Sequence, residues 1–540
     1  MSVTSHDPAA AAPPQTLKRE IDWKGAFWAA SGVPAGVLLT LGAVTTIIGQ
    51  PSWVVWMVSV MLGFVQSFVY AEIAGLFPSK SGGASVYGAA AWLPYNKFVA
   101  PISVWCNWLA WSPVMALGVG LAASYVIVNV FGADSPVSHW ELHLLSLDFV
   151  RPGLALRVNA VSLVAAGFLT LTFIIQHRGA SRAANTQKLL ALVCIGPLIL
   201  VGLIPLLTGN ISSAHLLPLL PLVRDSAGAP QFGTWNAAGV TLLMAAMFGA
   251  GWATYGFETA VCYTREFRDP AKDTYRAILS AGLLCIVVFT LVPLAFQGVF
   301  GIEGLLSPGI YDGSGVALAL ATMVHAGPVI TNLLIVMFIL ALLLIVNSSM
   351  MGSSRTLYQA SVDGWLPRYL SKVNAHGAPT AAMWTDLAFN MVLLLMSDYF
   401  AVLMISNVCY MIFVFLNLQS GWIHRLDRPH WKRPFRCPTW LLVLGGVLGF
   451  VNMVFVGAGA DVWGAGTLRN GLVAVSLIVP VFIFRHYVQD GGVFPAQMRE
   501  DMMPFPEDAG RRRAGLLPYL ALLLVVALLW VTHHYAVLPQ

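Results

Sequence analysis

Residues 249–256 read GAGWATYG and interrupt an apolar run that extends from about residue 238 to residue 264. A second interruption, SGVPAG at residues 31–36, lies in an apolar run near residues 28–48. Glycine lowers the cost of leaving a helix, and proline removes a backbone donor. Inside a bilayer, backbone groups without helical partners are tolerated only where they line a cavity. Two apolar helices with such breaks therefore predict a binding site between them, although either cluster alone is also explained by close helix packing.

Similar apolar runs make up most of the remaining chain. Of its 540 residues, 58% are apolar and 10% are charged, whereas a typical soluble domain has about 25% charged residues. A run of about 18 apolar residues is long enough to cross a bilayer. A β-barrel would instead show segments of about ten alternating residues. The composition therefore excludes a soluble globular enzyme and a disordered chain, and it predicts an all-α polytopic membrane protein.

Hydropathy predicts thirteen membrane spans, called span one to span thirteen below. They lie near residues 28–48, 53–77, 98–131, 158–175, 187–207, 238–264, 277–300, 328–352, 380–396, 400–422, 440–456, 471–487 and 515–531. Spans nine and ten are separated only by residues 397–399, which we interpret as a tight turn. The apolar run at residue 28 is too long for the core of a cleaved signal peptide, so residues 1–24 are predicted to be a cytoplasmic tail.

Charge asymmetry predicts the orientation of these spans. With the N-terminus inside, 25 of the 29 Lys and Arg residues lie in inside segments, and the other four, Arg151, Arg157, Arg224 and Arg469, lie outside. Cytoplasmic loops of membrane proteins carry such an excess of Lys and Arg. The asymmetry predicts a cytoplasmic N-terminus and a C-terminus outside, in an inner (cytoplasmic) bacterial membrane. It also explains the net charge of +5 without nucleic-acid binding.

Spans one to five and spans six to ten form two blocks of nearly equal length. Because five is odd, the second block enters the membrane from the opposite side, and the first span of each block carries a break. Inverted repeats of this kind are typical of secondary transporters. We therefore predict a first five-helix repeat at 25–207 and an inverted second repeat at 238–422. Two additional helices at 440–487, a cytoplasmic loop at 488–514 and a last helix with an outside tail at 515–540 follow.

Three stretches of sequence carry a family resemblance. Residues 71–87 read AEIAGLFPSKSGGASVY, residues 266–272 read EFRDPAK after GFE at 256–258, and residues 354–367 read SRTLYQASVDGWLP. Together they resemble motifs of the amino acid/polyamine/organocation (APC) permeases. This resemblance covers about residues 20–490 and implies the fold of the bacterial leucine transporter. The tripeptide at 49–51, GQP, is similar to the amino acid/choline branch.

The resemblance also implies a substrate site. In these permeases the broken first helix holds the carboxylate of the substrate, which the exposed amides of a helix N-terminus favour. Carbonyl groups of the broken sixth helix meet its amino group. The implied substrate-binding residues are Ser31, Gly32, Ala35 and Gly36 in span one, Asn107 in span three, and Ala250, Gly251, Trp252 and Tyr255 in span six.

Trp252 and Glu258 of span six have more specific expected roles. In arginine- and agmatine-type relatives the matching tryptophan covers the substrate as a gate, and an aromatic face attracts ammonium and guanidinium groups. A carboxylate inside a span is costly and usually faces a polar cavity or a partner. We interpret Glu258 as a residue that relays protons or pairs with a cation. Packing of Trp252 and a structural hydrogen bond of Glu258 are the alternatives.

The coupling ion, H+ or Na+, is undetermined at this point. Sodium-coupled relatives hold the ion between carbonyls of the first helix and hydroxyls of the eighth, which implies Ser348 and Ser349 as a possible sodium site. Some proton-coupled relatives place a lysine in the middle of the fifth span. The matching position is near Leu192 or Val193, so that lysine is absent. Proton coupling, sodium coupling and uncoupled exchange all stay open.

Arg355 and Asp363 lie in the loop motif after span eight, close enough in sequence to pair or to cap helix ends. We expect them to bias inward-open against outward-open populations rather than to touch substrate. Elsewhere, the six cysteines form no CxxC or Cys/His cluster, so neither a metal site nor a disulfide framework is predicted.

The preferred function is secondary active transport of a neutral or cationic amino acid or a related small amine, by alternating access around broken spans one and six. An amine/polyamine or GABA/choline-type exchanger and a non-transporting sensor are the alternatives. A membrane-embedded enzyme would need a motif such as HExxH, which the sequence lacks. The expected partners are a small-molecule substrate and the lipid bilayer, with no cofactor and no nucleic acid. The oligomeric state is left open.

Overall fold

The computed structural model describes residues 17–224, 229–311, 313–496, 498–499 and 512–538. Within those residues, twelve helices are long and apolar enough to cross a membrane. They are Trp23–Ile48, Ser52–Gly75, Ala100–Phe131, Ala160–His177, Ala183–Thr208, Ala237–Glu266, Pro270–Leu305, Pro328–Val362, Tyr399–Asp427, Thr439–Trp463, Thr467–Gln489 and Leu517–His534. These correspond to the predicted spans other than the ninth. The all-α polytopic fold class is confirmed.

Span nine is a shorter helix, Thr380–Leu393, of 14 residues. Its two ends nevertheless contact opposite ends of span four. Before the helix, Asn374 Nδ2 donates to His177 O at 2.8 Å. After it, Ser397 N donates to Ala155 O at 2.8 Å. The segment between these contacts therefore covers the full depth of span four, although its regular helix is too short to be recognised by length.

Contacts between loops divide the molecule into two faces. We call the face with loops 76–99, 178–182, 267–269, 363–379 and 428–438 the basic face, because these loops hold 11 Lys and Arg residues, whereas the loops of the other face hold three. The opposite face carries loops 49–51, 132–159, 209–236, 306–327 and 394–398. Lys80 contacts Asp363 on the basic face, and Gln50 contacts Leu217 on the opposite face. That the basic face is cytoplasmic stays a prediction from charge asymmetry.

Span thirteen packs against span eleven and runs between the two faces. At its start, Ala514 N donates to Asp427 Oδ1 at 2.9 Å, at the basic-face end of span ten. At its end, Val537 N donates to Thr241 Oγ1 at 3.2 Å, at the opposite-face end of span six. Of the predicted cytoplasmic loop 488–514, the structure describes residues 488–496, 498–499 and 512–514, and the rest lies outside the described residues.

The packing of the first ten spans has the symmetry of an inverted repeat. Spans three and four pack together, as do spans eight and nine, and spans one and five pack together, as do six and ten. Contacts of span three with span ten have their counterpart in contacts of span eight with span five. When each span of the first repeat is matched with the span five places later, every one of these contacts has a matching contact, as a two-fold relation between the repeats requires. The exact boundaries of the predicted repeats stay a prediction.

Polar caps explain where several spans begin. Asp22 Oδ1 accepts from Gly25 N at 2.8 Å before span one, and Asn236 and Asp398 cap spans six and ten in the same way. Asn159 forms a reciprocal capping box with Ser162 before span four. Side-chain acceptors of this kind satisfy amides at helix starts that have no partner in the helix.

Short elements occupy the two faces. On the opposite face, strand β1 (Glu141–Ser146) pairs with β2 (Ala155–Asn159), and β3 (Leu222–Arg224) pairs with β4 (Pro230–Phe232), both antiparallel. The sequence pattern does not predict these hairpins, because strands of three to six residues are too short for a clear periodicity. The shorter helices outside the spans are Ala84–Trp92, Pro136–His139, Ser213–His215, Pro308–Tyr311, Val316–Met323 and Arg368–Ser371.

The described end of the predicted N-terminal tail packs against the protein. Ile21 is buried and forms a parallel bridge with Phe267, just after span six. The amides of Glu20 and Ile21 both donate to Glu266 O, at 3.1 and 3.2 Å. The basic-face ends of spans one and six are therefore tied together through the backbone.

Candidate functional site

Span one is broken where the sequence predicts, by a change of helix type rather than by an extended gap. An α-helix, Trp23–Ala30, gives way to a 3-10 helix, Val33–Gly36, and then to a second α-helix, Val37–Ile48. Pro34 lies in the 3-10 turn, where it contributes no backbone donor. Ser31 Oγ donates to Trp28 O at 2.5 Å. The Ser31 hydroxyl therefore donates to its own helix in this conformation.

Span six is broken at the C-terminal end of the predicted stretch 249–256. Its α-helix continues through Gly251 and Trp252 to Thr254, and an 11-residue 3-10 helix, Gly256–Glu266, follows. Stretches of 3-10 helix longer than three or four residues are uncommon, and inside a helix they often mark a hinge. Ala250 and Gly251 thus lie in regular α-helix. Gly251 O accepts from Tyr255 N at 3.2 Å, so this predicted amine-binding carbonyl already has a helical partner.

The two breaks lie against one another. A Cβ built on Gly256 would lie 3.0 Å from Val33 Cγ1 and would overlap the ring of Trp111. A Cβ on Gly36 would lie 3.9 Å from Ala253 Cβ. The absence of a side chain at Gly256 therefore allows spans one, three and six to meet at one point, which is where the sequence predicts the substrate site.

Glu258 lies two residues into the 3-10 part of span six and is 1% exposed. Its Oε1 accepts from Trp111 Nε1 of span three at 3.0 Å. Its other oxygen, Oε2, has no hydrogen-bond partner among the described residues, and the hydroxyls of Tyr70 and Tyr410 lie close to the carboxylate. A buried carboxylate with one free oxygen beside two breaks can accept a proton or pair with a cationic group.

The structure brings some predicted residues to this point and directs others elsewhere. Trp252 is 4% exposed, so its indole belongs to the interior of the bundle and does not face lipid. The Tyr255 hydroxyl donates to Asn452 Oδ1 of span eleven at 3.2 Å. Asn107 Nδ2 donates to Ser85 Oγ of the short helix after span two at 2.9 Å. Tyr255 and Asn107 therefore bind neighbouring helices rather than the broken segments.

A second buried carboxylate, Asp386 of span nine, escaped the sequence analysis. It is wholly buried and accepts from Trp108 Nε1 at 2.6 Å, Ser112 Oγ at 2.8 Å and Ser353 Oγ at 2.6 Å. All three donors are neutral. A carboxylate inside a span needs a polar partner. Asp386 meets this criterion as well as Glu258 does, so the same sequence signal points to both residues.

The possible sodium site has a different structure from the one expected. Ser348 Oγ donates to Ala29 O of span one at 2.6 Å and accepts from Gln187 Nε2 of span five at 2.5 Å. Ser349 Oγ, one residue on, is buried and has no hydrogen-bond partner among the residues described. Leu192 and Val193 are 56% and 43% exposed, whereas Gln187, earlier in span five, contacts both span one and span eight.

Buried ion pairs close the basic face. Arg355 of span eight donates to both carboxylate oxygens of Glu266, at 2.6 and 3.2 Å. Asp363 accepts from Lys80 Nζ at 2.6 Å and from Gln359 Nε2 at 2.9 Å. Of the two roles expected for Arg355 and Asp363, pairing with each other is not observed, because Arg355 binds Glu266 at the end of span six and Asp363 binds Lys80 in the loop after span two. Asp363 is the C-cap residue of the span-eight helix, in line with the alternative of capping a helix end.

A cavity of about 520 Å³ opens from the opposite face. It lies between the outer half of span three, the β1–β2 hairpin and the start of span ten, and Arg151, Arg157 and Tyr399 are among its lining residues. Its lining includes Trp463, whose ring packs against Gly249 of span six. The opposite face thus has a polar cavity that reaches Trp463 beside span six. On the basic face, buried charge pairs join spans six and eight and the loop after span two, and a separate cavity of about 530 Å³ lies beside Arg368 and Arg485.

Comparison with known proteins agrees with this architecture. The sequence profile of the family described as amino acid permease matches residues 21–483. The chain belongs to the amino acid permease family. This assignment confirms the resemblance to APC permeases, and it makes the protein an integral membrane transporter of amino acids or amines rather than an enzyme.

Three relatives show the breadth of this permease family. The chain is 24% identical to a branched-chain amino acid permease of Lactococcus lactis, over 75% of this chain and 80% of that protein. It is 24% identical to a polyamine transporter of rice, Oryza sativa, over 79% and 69%. It is 23% identical to the human cystine/glutamate transporter, over 76% and 73%.

Proposed function

We propose that this permease is a secondary active transporter for a neutral or cationic amino acid or a related small amine. The observation that carries the proposal is the contact between two interrupted helices, the 3-10 turn at Val33–Gly36 and the start of the 3-10 helix at Gly256. Interrupted helices that meet near the bilayer midplane provide backbone groups for a substrate and hinges for alternating access.

The electrostatics of the site support the substrate class. The charged side chain beside the breaks is the Glu258 carboxylate, and Trp252 lies six residues earlier in the same span. Amides at a helix terminus stabilise one carboxylate by up to about 2 kcal/mol when partly buried. A second substrate carboxylate would be desolvated without a partner, which is costly. A zwitterion or cation fits this site better than glutamate or aspartate.

The closed basic face and the polar cavity on the opposite face support a direction. If the basic face is cytoplasmic, as its charge predicts, this conformation is open toward the outside and closed toward the inside. Substrate would enter through the cavity beside Arg151 and Tyr399. Release on the other side would require the buried pairs at Glu266 and Asp363 to separate.

Uptake into proteoliposomes tests the proposal. Purified protein is supplied with labelled neutral, basic and acidic amino acids and small amines, with and without a pH gradient. Transport of a neutral or basic compound, poorly inhibited by glutamate and aspartate, is expected. Inhibition by acidic amino acids alone would overturn the substrate class, and counterflow without any net gradient-driven uptake would identify an exchanger.

A further inference from the structure

A directed series of hydrogen bonds joins spans four, eight, five and one. Gln176 Nε2 donates to Asn347 Oδ1 at 2.7 Å, and Asn347 Nδ2 donates to Gln187 Oε1. Gln187 Nε2 donates to Ser348 Oγ, whose hydroxyl donates to Ala29 O, four residues before the 3-10 turn begins at Val33. Every group in the series is neutral. Each group inside the series accepts a hydrogen bond from the group before it and donates one to the group after it.

Three oxygen atoms converge on Gln187 Nε2. They are Ser348 Oγ at 2.5 Å, Leu344 O at 3.0 Å and Ala29 O at 3.3 Å, from spans eight and one. Main-chain carbonyls and hydroxyls of discontinuous helices are the groups that bind coupling cations in transporters. An amide nitrogen carries two hydrogens and no charge. The Gln187 amide nitrogen therefore lies among oxygens of the kind that bind a coupling cation.

The surrounding packing leaves this position no room for an additional ion. A Cβ built on Gly32 would lie 2.5 Å from both Leu344 O and Ser348 Oγ. Gln187 itself is fully buried, and an ion entering here would have to displace the amide nitrogen that lies within 3.3 Å of all three oxygens. The residues present do not fit the sodium site that the resemblance implies for Ser348.

We propose that the Gln187 amide permanently replaces a coupling cation between spans one and eight, so that span one is held closed on the basic face without sodium. This inference rests on the proposed alternating-access transport. Gln187 is a positioning residue, because it acts on the broken helix through Ser348 and Ala29 and does not touch substrate. Transport by this permease is consequently independent of sodium.

Replacing the amide by an acid tests the proposal. Gln187→Glu keeps the length of the side chain but places a carboxylate among the three oxygens, where only a cation or a proton relieves the repulsion. Asn185→Asp is the matched control, since Asn185 is exposed on the same helix two residues earlier. Thermal unfolding in detergent and uptake in proteoliposomes are measured in sodium chloride and in choline chloride of equal ionic strength.

The wild type and Asn185→Asp should melt at the same temperature in both salts and transport equally in both. Gln187→Glu should melt higher in sodium, and its uptake should become sodium-dependent by about tenfold, a coupling of ordinary size for linked sites. A folded Gln187→Glu protein that ignores sodium overturns the proposal.

The experiment also gives an answer if the variant does not fold or if no substrate is found. If Gln187→Glu does not fold, the wild type decides: a higher melting temperature or faster uptake in sodium than in choline overturns the proposal, and equality supports it. The melting experiment needs no substrate. It therefore still reports on Gln187 if none of the tested amino acids is transported, which would contradict the proposed function alone.

Discussion

The guanidinium of Arg355 and the carboxylate of Glu266 form a two-point ion pair, with N–O distances of 2.6 and 3.2 Å and side chains 3% and 1% exposed. Glu266 is the last residue of the 3-10 part of span six, and its carbonyl also accepts the amides of Glu20 and Ile21. One residue therefore joins spans one, six and eight on the basic face, and opening of that face must break this junction.

Removing one partner of this pair should be costly. Arg355→Ala leaves a buried carboxylate without its cation, a change that typically costs about 3–5 kcal/mol. We expect a large drop in melting temperature and an increase in basic-face accessibility. The exchange Arg355→Glu with Glu266→Arg should restore part of both. The exchange Arg355→Asp with Asp363→Arg should restore nothing, since these residues do not pair, and equal rescue by both exchanges would contradict the structure.

Trp252→Ala tests the gate. A desolvated cation–π contact contributes about 2 kcal/mol, so uptake of a cationic substrate per folded molecule should fall by roughly tenfold or more. Trp440→Ala is the control, because Trp440 is 67% exposed on span eleven. Unchanged uptake by folded Trp252→Ala protein would mean that the indole serves packing alone.

Glu258→Gln tests proton coupling. Glutamine keeps an oxygen acceptor for the Trp111 indole but cannot ionise, so stimulation of uptake by a pH gradient should disappear while substrate exchange continues. Asp386→Asn makes the same chemical change at a buried carboxylate held by three neutral donors, and it should alter stability while leaving the pH response in place. Gradient-driven uptake that survives Glu258→Gln assigns the coupling elsewhere.

Two glycines of span one should respond differently to alanine. A Cβ at Gly32 would lie 2.5 Å from Leu344 O and 2.9 Å from Ile345 Cα, both backbone atoms of span eight, and overpacking of this kind costs about 1–3 kcal/mol. A Cβ at Gly36 meets nothing closer than 3.4 Å. Gly32→Ala should therefore lower the melting temperature, whereas Gly36→Ala should fold normally. Equal losses would contradict the packing described.

Labelling of introduced cysteines tests the topology. All six native cysteines are buried, and burial raises the pKa of the Cys437 thiol in the basic-face loop to about 12, so background labelling should be low. A cysteine after Gly233 should react from outside the cell, and a cysteine after Asn374 should react only after permeabilisation, since both positions are exposed. A cysteine at residue 374 that reacts from outside would remove span nine or reverse the orientation.

Much of the architecture was predictable because it depends on contiguous residues. Apolar length determined spans one to eight and ten to thirteen, and the Gly and Pro residues at 31–36 placed the break in span one. Span nine shows the limit, since its 14-residue helix is identified as a crossing segment only by contacts of Asn374 and Ser397 with the two ends of span four. The break in span six lies at the last glycine of its predicted stretch, Gly256, whereas Gly249 lies in regular α-helix and packs against Trp463.

Sequence alone thus determined the membrane class, the two interrupted helices and the family, since hydropathy, local backbone chemistry and loop motifs are readable along one stretch of chain. Only the tertiary structure decided which polar groups meet. Gln187 reaches oxygens of Ala29 and Leu344, which lie 158 and 157 residues away, and Ser31 turns back to its own helix. The rotation of each helix about its axis sets these partners, and that rotation is determined by packing against neighbouring helices, which no single apolar run encodes.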